Sequence, residues 1–144
     1  MEKRVDSSAD NLMFIAWGQA LIATLGSLFF SEVYHYVPCE LCWYQRILMY
    51  PLVVIYGLTL WKKDLSIALP GLVLSGIGTL VSIYHYSLQK IPAWGEVGAS
   101  CGTVPCNAEY VNYFGFITIP FLALTAFIVI FITHLIMIRK QRRQ

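Results

Sequence analysis

Four long stretches free of charged side chains constrain this chain more than any other feature. Residues 12–30 form a run of 19 without a charge. Wound as a helix, that run rises roughly 28 Å, about the thickness of one bilayer hydrocarbon core. The apolar region of a cleavable leader is about 7–15 residues long and ends at a small-residue site. Here the run is longer and leads into Phe29, Phe30, Ser31 and Glu32, so an uncleaved first span is expected. Residues 47–61 number only 15, but counted back to Cys42, across Arg46, the segment reaches 20. The second helix is therefore expected to begin at or before Cys42, with a kink at Pro51. Residues 65–88 and 114–138 supply the third and fourth spans, and Lys62, Lys63 and Asp64 make a tight polar turn.

Composition agrees with this reading. The chain is 58% hydrophobic and 12% charged, against about 25% charged in a soluble domain. Its 144 residues suit one domain. The expected fold is an all-α membrane protein: a single domain over residues 1–144, a four-transmembrane-helix bundle with spans near 12–30, 42–61, 65–88 and 114–138, preceded by a polar tail. Eight of the ten basic residues fall in the two tails and the Lys62–Lys63 turn. The positive-inside rule then makes both termini cytoplasmic and puts all four cysteines on the opposite, oxidising side. Small residues recur every fourth position at Ala16, Ala20 and Thr24, and at Gly71, Ser75 and Thr79. They are candidates for close helix packing.

Residues 38–46 read P-C-E-L-C-W-Y-Q-R. In the first turn of a helix, free backbone N–H groups and the helix dipole favour a thiolate at Cys39 or Cys42. Arg46 lies one turn beyond Cys42 on the same face. It is either a cation beside a reactive sulfur or a side chain reaching for lipid headgroups. The second pair, in Cys101-Gly-Thr-Val-Pro-Cys106, sits in a loop rich in Gly and Pro that favours a compact turn. Four cysteines can pair in three ways, and the spacing favours two local pairs. Three readings stand: structural staples, a four-thiolate zinc site, or a redox relay. An oxidising compartment and the span-end position count against zinc, so no metal is expected. A C-x-x-C closes too small a loop to be a good staple, and an activated thiolate suits exchange chemistry.

Tyr34-His35-Tyr36 and Tyr84-His85-Tyr86 end the first and third spans, as an interfacial aromatic belt would. On that reading His35 and His85 are interfacial. Glu40 is expected to be solvated, and His134 to lie far from the cysteines. No nucleic-acid partner is expected.

The stretch Cys39-Glu-Leu-Cys42-Trp-Tyr-Gln45-Arg46 resembles the C-x-x-C-x-x-Q-R motif of the DsbB family of membrane thiol–quinone oxidoreductases. The four spans and the second cysteine pair fit as well, so the resemblance covers nearly the whole chain. The short C-x4-C is similar to the compact, BdbC-like members; longer members space that pair more widely. The resemblance implies a multi-pass protein of a bacterial cytoplasmic membrane. Electrons would pass from an extracytoplasmic, DsbA-like thioredoxin-fold thiol oxidase to Cys101/Cys106 and then to Cys39/Cys42. A membrane quinone, ubiquinone or menaquinone, would be reduced beside Cys42 with help from Arg46 and Gln45. On the same analogy the partner attacks Cys101, and Cys106 then attacks Cys39. The alternative is a small membrane scaffold or transporter component with structural disulfides in its outer loops.

Overall fold

A computed structural model describes residues 7–99 and 102–143. Helix α1 spans Ser7–Glu32, α2 spans Glu40–Lys62, α3 spans Leu69–Lys90 and α5 spans Ile119–Arg142, with a short α4 at Gly95–Ala99. Among the described residues the fold is all-α, and four helices are long and apolar enough to cross a membrane. Strand-like pairing is limited to an isolated bridge between Tyr113 and Ile117. Around the bundle, α1 packs on α2 and α5, and α3 packs on the same two helices from the other side. All three cysteines in the described residues lie at one end of the bundle, where α2 and α5 begin and α1 and α3 finish.

The helix starts follow from local chemistry. Cys39 is the N-cap of α2, and the helix runs on as one element through Pro51. Asp64 caps a 3₁₀ turn at Leu65–Ala68, accepting from the Ser66 amide at 2.9 Å. Pro70 then sits in the first turn of α3, where its missing N–H costs nothing. The fourth helix starts at Ile119, later than the uncharged run from residue 114. Phe114 and Gly115 take φ values of 56° and 81°, which no right-handed helix accommodates. Tyr113 and Ile117 close this turn with two backbone hydrogen bonds of 3.0 Å.

Lipid removes the hydrophobic drive for helix association, so close packing has to hold the bundle. The buried line on α3 is Gly71, Ser75, Gly78, Ser82 and His85, an alternating step of four and three. The four-residue repeat Gly71, Ser75, Thr79 is followed only as far as Ser75. Thr79 is part-buried, and its hydroxyl donates to the Ser75 carbonyl at 2.8 Å. Bulky rings fill the space that the glycines leave. A Cβ on Gly71 would come within 2.9 Å of the Tyr56 ring, and one on Gly78 within 2.3 Å of the Phe127 ring. Both rings are fully buried. Tyr56 also meets His134 Nδ1 at 3.0 Å, joining α2 to α5. Outward positions such as Ile22, Val54, Leu80 and Ile132 remain exposed and apolar, as a lipid-facing belt requires.

Gly78→Ala is expected to destabilise the bundle by about 1–3 kcal/mol through overpacking against Phe127. Gly18→Ala, whose Cβ would meet nothing within 4 Å, should be neutral or stabilising by up to ~1 kcal/mol. Thermal unfolding of both variants in the same detergent measures the difference; equal shifts would contradict the packing account.

Candidate active site

The site is built on the start of α2. Cys39 has extended backbone, φ −71° and ψ 172°, and its Sγ accepts from the Cys42 amide at 3.4 Å. Cys42 lies in the first turn, and the Cys39 thiol donates to its Sγ across 2.9 Å. The two sulfurs are thus within easy reach of a disulfide. Cys39 is 4% exposed, under Leu88 and Cys106. The hydrogen bond to Cys42, with burial adding to it, pushes the Cys39 thiol up to about 12, although His85 opposes the shift. Cys39 therefore holds its proton in the reduced pair.

Cys106 is fully buried against Cys39. The loop that carries it is pinned by several contacts. Gln89 Nε2 donates to the Ala108 carbonyl at 3.1 Å, Asn107 Nδ2 to the Gly95 carbonyl at 3.1 Å, and Lys90 pairs with Glu109 at 2.9 Å. The chain thus brings the second cysteine segment onto the first. Cys101 lies outside the described residues.

His85 corrects the interfacial expectation. It is 1% exposed, with Nε2 3.6 Å from Cys39 Sγ and 3.1 Å from the Cys106 carbonyl. A carbonyl only accepts, so Nε2 carries the proton. The buried line of small residues along α3 ends on His85, and that 4-3 pattern is the sequence signal that could have found it. His35, by contrast, is exposed, and Glu40 is exposed with Tyr44 donating to it at 3.2 Å. His134 sits in the Tyr56 contact described above, away from the cysteines.

A cavity of about 310 Å³ opens between α1, α2 and α5, with Cys42, Gln45, Arg46 and Tyr50 on its α2 wall. Its size suits a small-molecule site, and most of the remaining wall is apolar or small, including Ala23, Gly26 and Ala126. Arg46 is tied to α1. Its Nη2 donates to the Ser27 carbonyl at 3.2 Å and to the Ser31 hydroxyl on α1, and the guanidinium lies 5.5 Å over the Trp43 ring. Gln45 is buried, with its amide nitrogen donating to Ser82 at 3.2 Å. Tyr50 was not singled out from the sequence. Its hydroxyl is buried without a hydrogen-bond partner among the described residues, so it is a donor awaiting an acceptor. Cys42 also lines a second, much smaller cavity together with Cys39 and His85. It is the sulfur common to both spaces.

The profile of the family described as "Disulfide bond formation protein DsbB" matches residues 9–137. The chain belongs to the DsbB family. It is 60% identical to a "Probable disulfide formation protein" of Oceanobacillus iheyensis, over 99% of each chain. It is 52% identical to the "Disulfide bond formation protein C" of Bacillus subtilis, over 83% of this chain and 87% of that one. A "Probable disulfide formation protein C" of Halalkalibacterium halodurans is 52% identical over 98% of this chain and all of its own length. No solved structure matches the chain significantly. Family and fold together make this DsbB-family chain a multi-pass membrane oxidoreductase of disulfide-bond formation.

Brief treatment of the reduced protein with an alkylating reagent should modify Cys42 more than about tenfold faster than Cys39, because the latter is buried and keeps its proton. Peptide mass spectrometry reads the ratio; equal or reversed labelling would contradict the geometry.

Proposed function

We propose that the protein is a thiol:quinone oxidoreductase that reoxidises an extracytoplasmic, DsbA-like thioredoxin-fold thiol oxidase. The observation that carries this reading is the position of Cys42 between the two cysteine segments and an apolar cavity. The partner's dithiol reduces the Cys101/Cys106 disulfide by two exchange steps and leaves as a disulfide. Cys106 then attacks Cys39, and the exchange leaves a dithiol at Cys39/Cys42. Cys39 keeps a proton, and Cys42 presents its sulfur to the cavity. Lys and Arg distribution supports cysteines outside and both termini in the cytoplasm of a bacterial cell.

The cavity fits a quinone ring on three counts: its volume, its apolar wall, and two donors, Arg46 and the orphaned Tyr50 hydroxyl. A bound quinone, ubiquinone or menaquinone, supplies a lipid-soluble acceptor for two electrons and two protons. Arg46 holds a fixed cation beside the thiolate, offsetting the cost of an anion in a low-dielectric wall. The same cation and the Tyr50 hydroxyl stabilise negative charge that develops on an acceptor oxygen. Gln45 acts at one remove: its bond to Ser82 fixes the first turns of α2 against α3. A pair of structural staples would leave the cavity and both donors without a role.

Arg46→Ala should leave both disulfides formable but slow turnover by about 30- to 1,000-fold, the equivalent of roughly 2–4 kcal/mol, and raise the apparent quinone KM. Arg46→Lys should be intermediate, since it keeps charge but not the planar donor fork. Quinone reduction with a reduced thioredoxin-fold partner, measured over a range of quinone concentrations, checks both. Wild-type kinetics in Arg46→Ala would remove Arg46 from the acceptor site.

For the loop pair, Cys106→Ser should accumulate a mixed disulfide between Cys101 and the partner, visible on non-reducing gels. Trapping on Cys106 in Cys101→Ser alone would reverse the order of attack.

A further inference from the structure

The smaller cavity measures about 20 Å³, enough for one water-sized body. Cys39, Cys42, His85 and Gln89 lie on its wall. The two sulfurs and a His85 ring nitrogen fall within 4.8 Å of one another. Gln89 adds an unusual atom: its Nε2 is held by the Ala108 carbonyl, while its Oε1 is buried without a hydrogen-bond partner. The space therefore combines two thiols, an imidazole and an orphaned carboxamide oxygen.

The geometry points to a metal site of the reduced protein: a d¹⁰ cation of the zinc class, held by Cys39 Sγ, Cys42 Sγ and His85 Nε2, with Gln89 Oε1 as a fourth donor. Thiolate and imidazole are the ligands such ions select. A zinc tetrahedron with Zn–S about 2.3 Å and Zn–N about 2.05 Å separates S and N by about 3.6 Å. Cys39 Sγ and His85 Nε2 stand 3.6 Å apart. The sulfurs, at 2.9 Å, must open to about 3.8 Å, and Cys42 is only part-buried and can move. Binding releases the two thiol protons to solvent and moves no electron. The ion takes the place of the hydrogen bond from His85 Nε2 to the Cys106 carbonyl, and the imidazole proton then sits on Nδ1. Oxidation to the disulfide removes both thiolates and abolishes the site. A bound ion caps Cys42 and holds the pair reduced, so the same cations are reversible inhibitors of reoxidation. This site depends on neither the partner nor the acceptor proposed above.

The test uses the full chain with Cys101→Ser and Cys106→Ser, so that only one cysteine pair can bind metal. After reduction it is titrated with Co²⁺, then Zn²⁺. The expected result is one Co²⁺ per chain with four-coordinate visible bands and thiolate charge transfer, displaced by Zn²⁺ and absent from the oxidised protein. His85→Ala in the same background should weaken binding at least tenfold and change the bands. Failure to bind, or an unchanged affinity and spectrum in His85→Ala, overturns the site. Because that substitution removes a buried side chain, zinc-edge X-ray absorption of the reduced double-serine protein gives a second reading. A shell with two sulfurs and imidazole supports the assignment, and a shell without imidazole overturns it.

Discussion

The structure turns on one local event, the start of a membrane helix at a cysteine. Cys39 takes the N-cap position, its sulfur accepts the Cys42 amide, and α2 begins at the next residue. Starting there gives α2 23 residues, roughly 34 Å of helix, little more than one hydrocarbon core. The first turn with Cys42, and Arg46 one turn further on, are thereby set at the end of the span. A cap of Ser or Asp would start the helix equally well. A cysteine cap also makes the capping atom one of the two sulfurs of the C-x-x-C.

Packing then distributes space unevenly around α2. On the α3 side, Gly71 admits the fully buried Tyr56 ring of α2, while Gly78 admits Phe127 of α5. Toward α1 and α5 the small residues Ala23, Gly26 and Ala123 line the 310 Å³ cavity. One face of α2 is therefore packed closely at Tyr56 and the other borders the cavity. Arg46 spans the open face by bonding to the last turns of α1, where carbonyl ends favour a cation. The loop after α3 closes the remaining side by placing Cys106 on Cys39. The two sulfurs of the C-x-x-C consequently face different neighbours: Cys39 faces protein, and Cys42 faces the cavity as well.

Much of this was legible in the sequence, and the reasons differ by residue. Three uncharged runs of span length and a shorter fourth leave few alternatives to a helical bundle, and a C-x-x-C before the run that is too short forces the helix to start at the cysteines. Arg46 was placed by helical spacing alone. The start of α5 was not legible, because an uncharged run does not show where φ turns positive; Phe114 and Gly115 look like span residues until their backbone is known. His85 was read as part of an aromatic belt because Tyr-His-Tyr at a span end suits one. Its burial depends on the loop that folds over it, through the Cys106 carbonyl. Tyr50 carried no signal, since an unpartnered hydroxyl is a property of its surroundings rather than of its spacing.

The central claim is that electrons leave the protein from Cys42 into the cavity between α1, α2 and α5. The most direct measurement separates the two halves of the reaction in an Ala123→Trp protein, whose new ring fills that cavity. Reduced protein is mixed with a short-chain quinone, and the return of the Cys39/Cys42 disulfide is followed by thiol trapping; entry of thiols into the oxidised pair is followed separately. The account predicts that quinone-driven reoxidation is lost while thiol exchange into Cys39/Cys42 persists. Reoxidation at the wild-type rate with the cavity filled would contradict it.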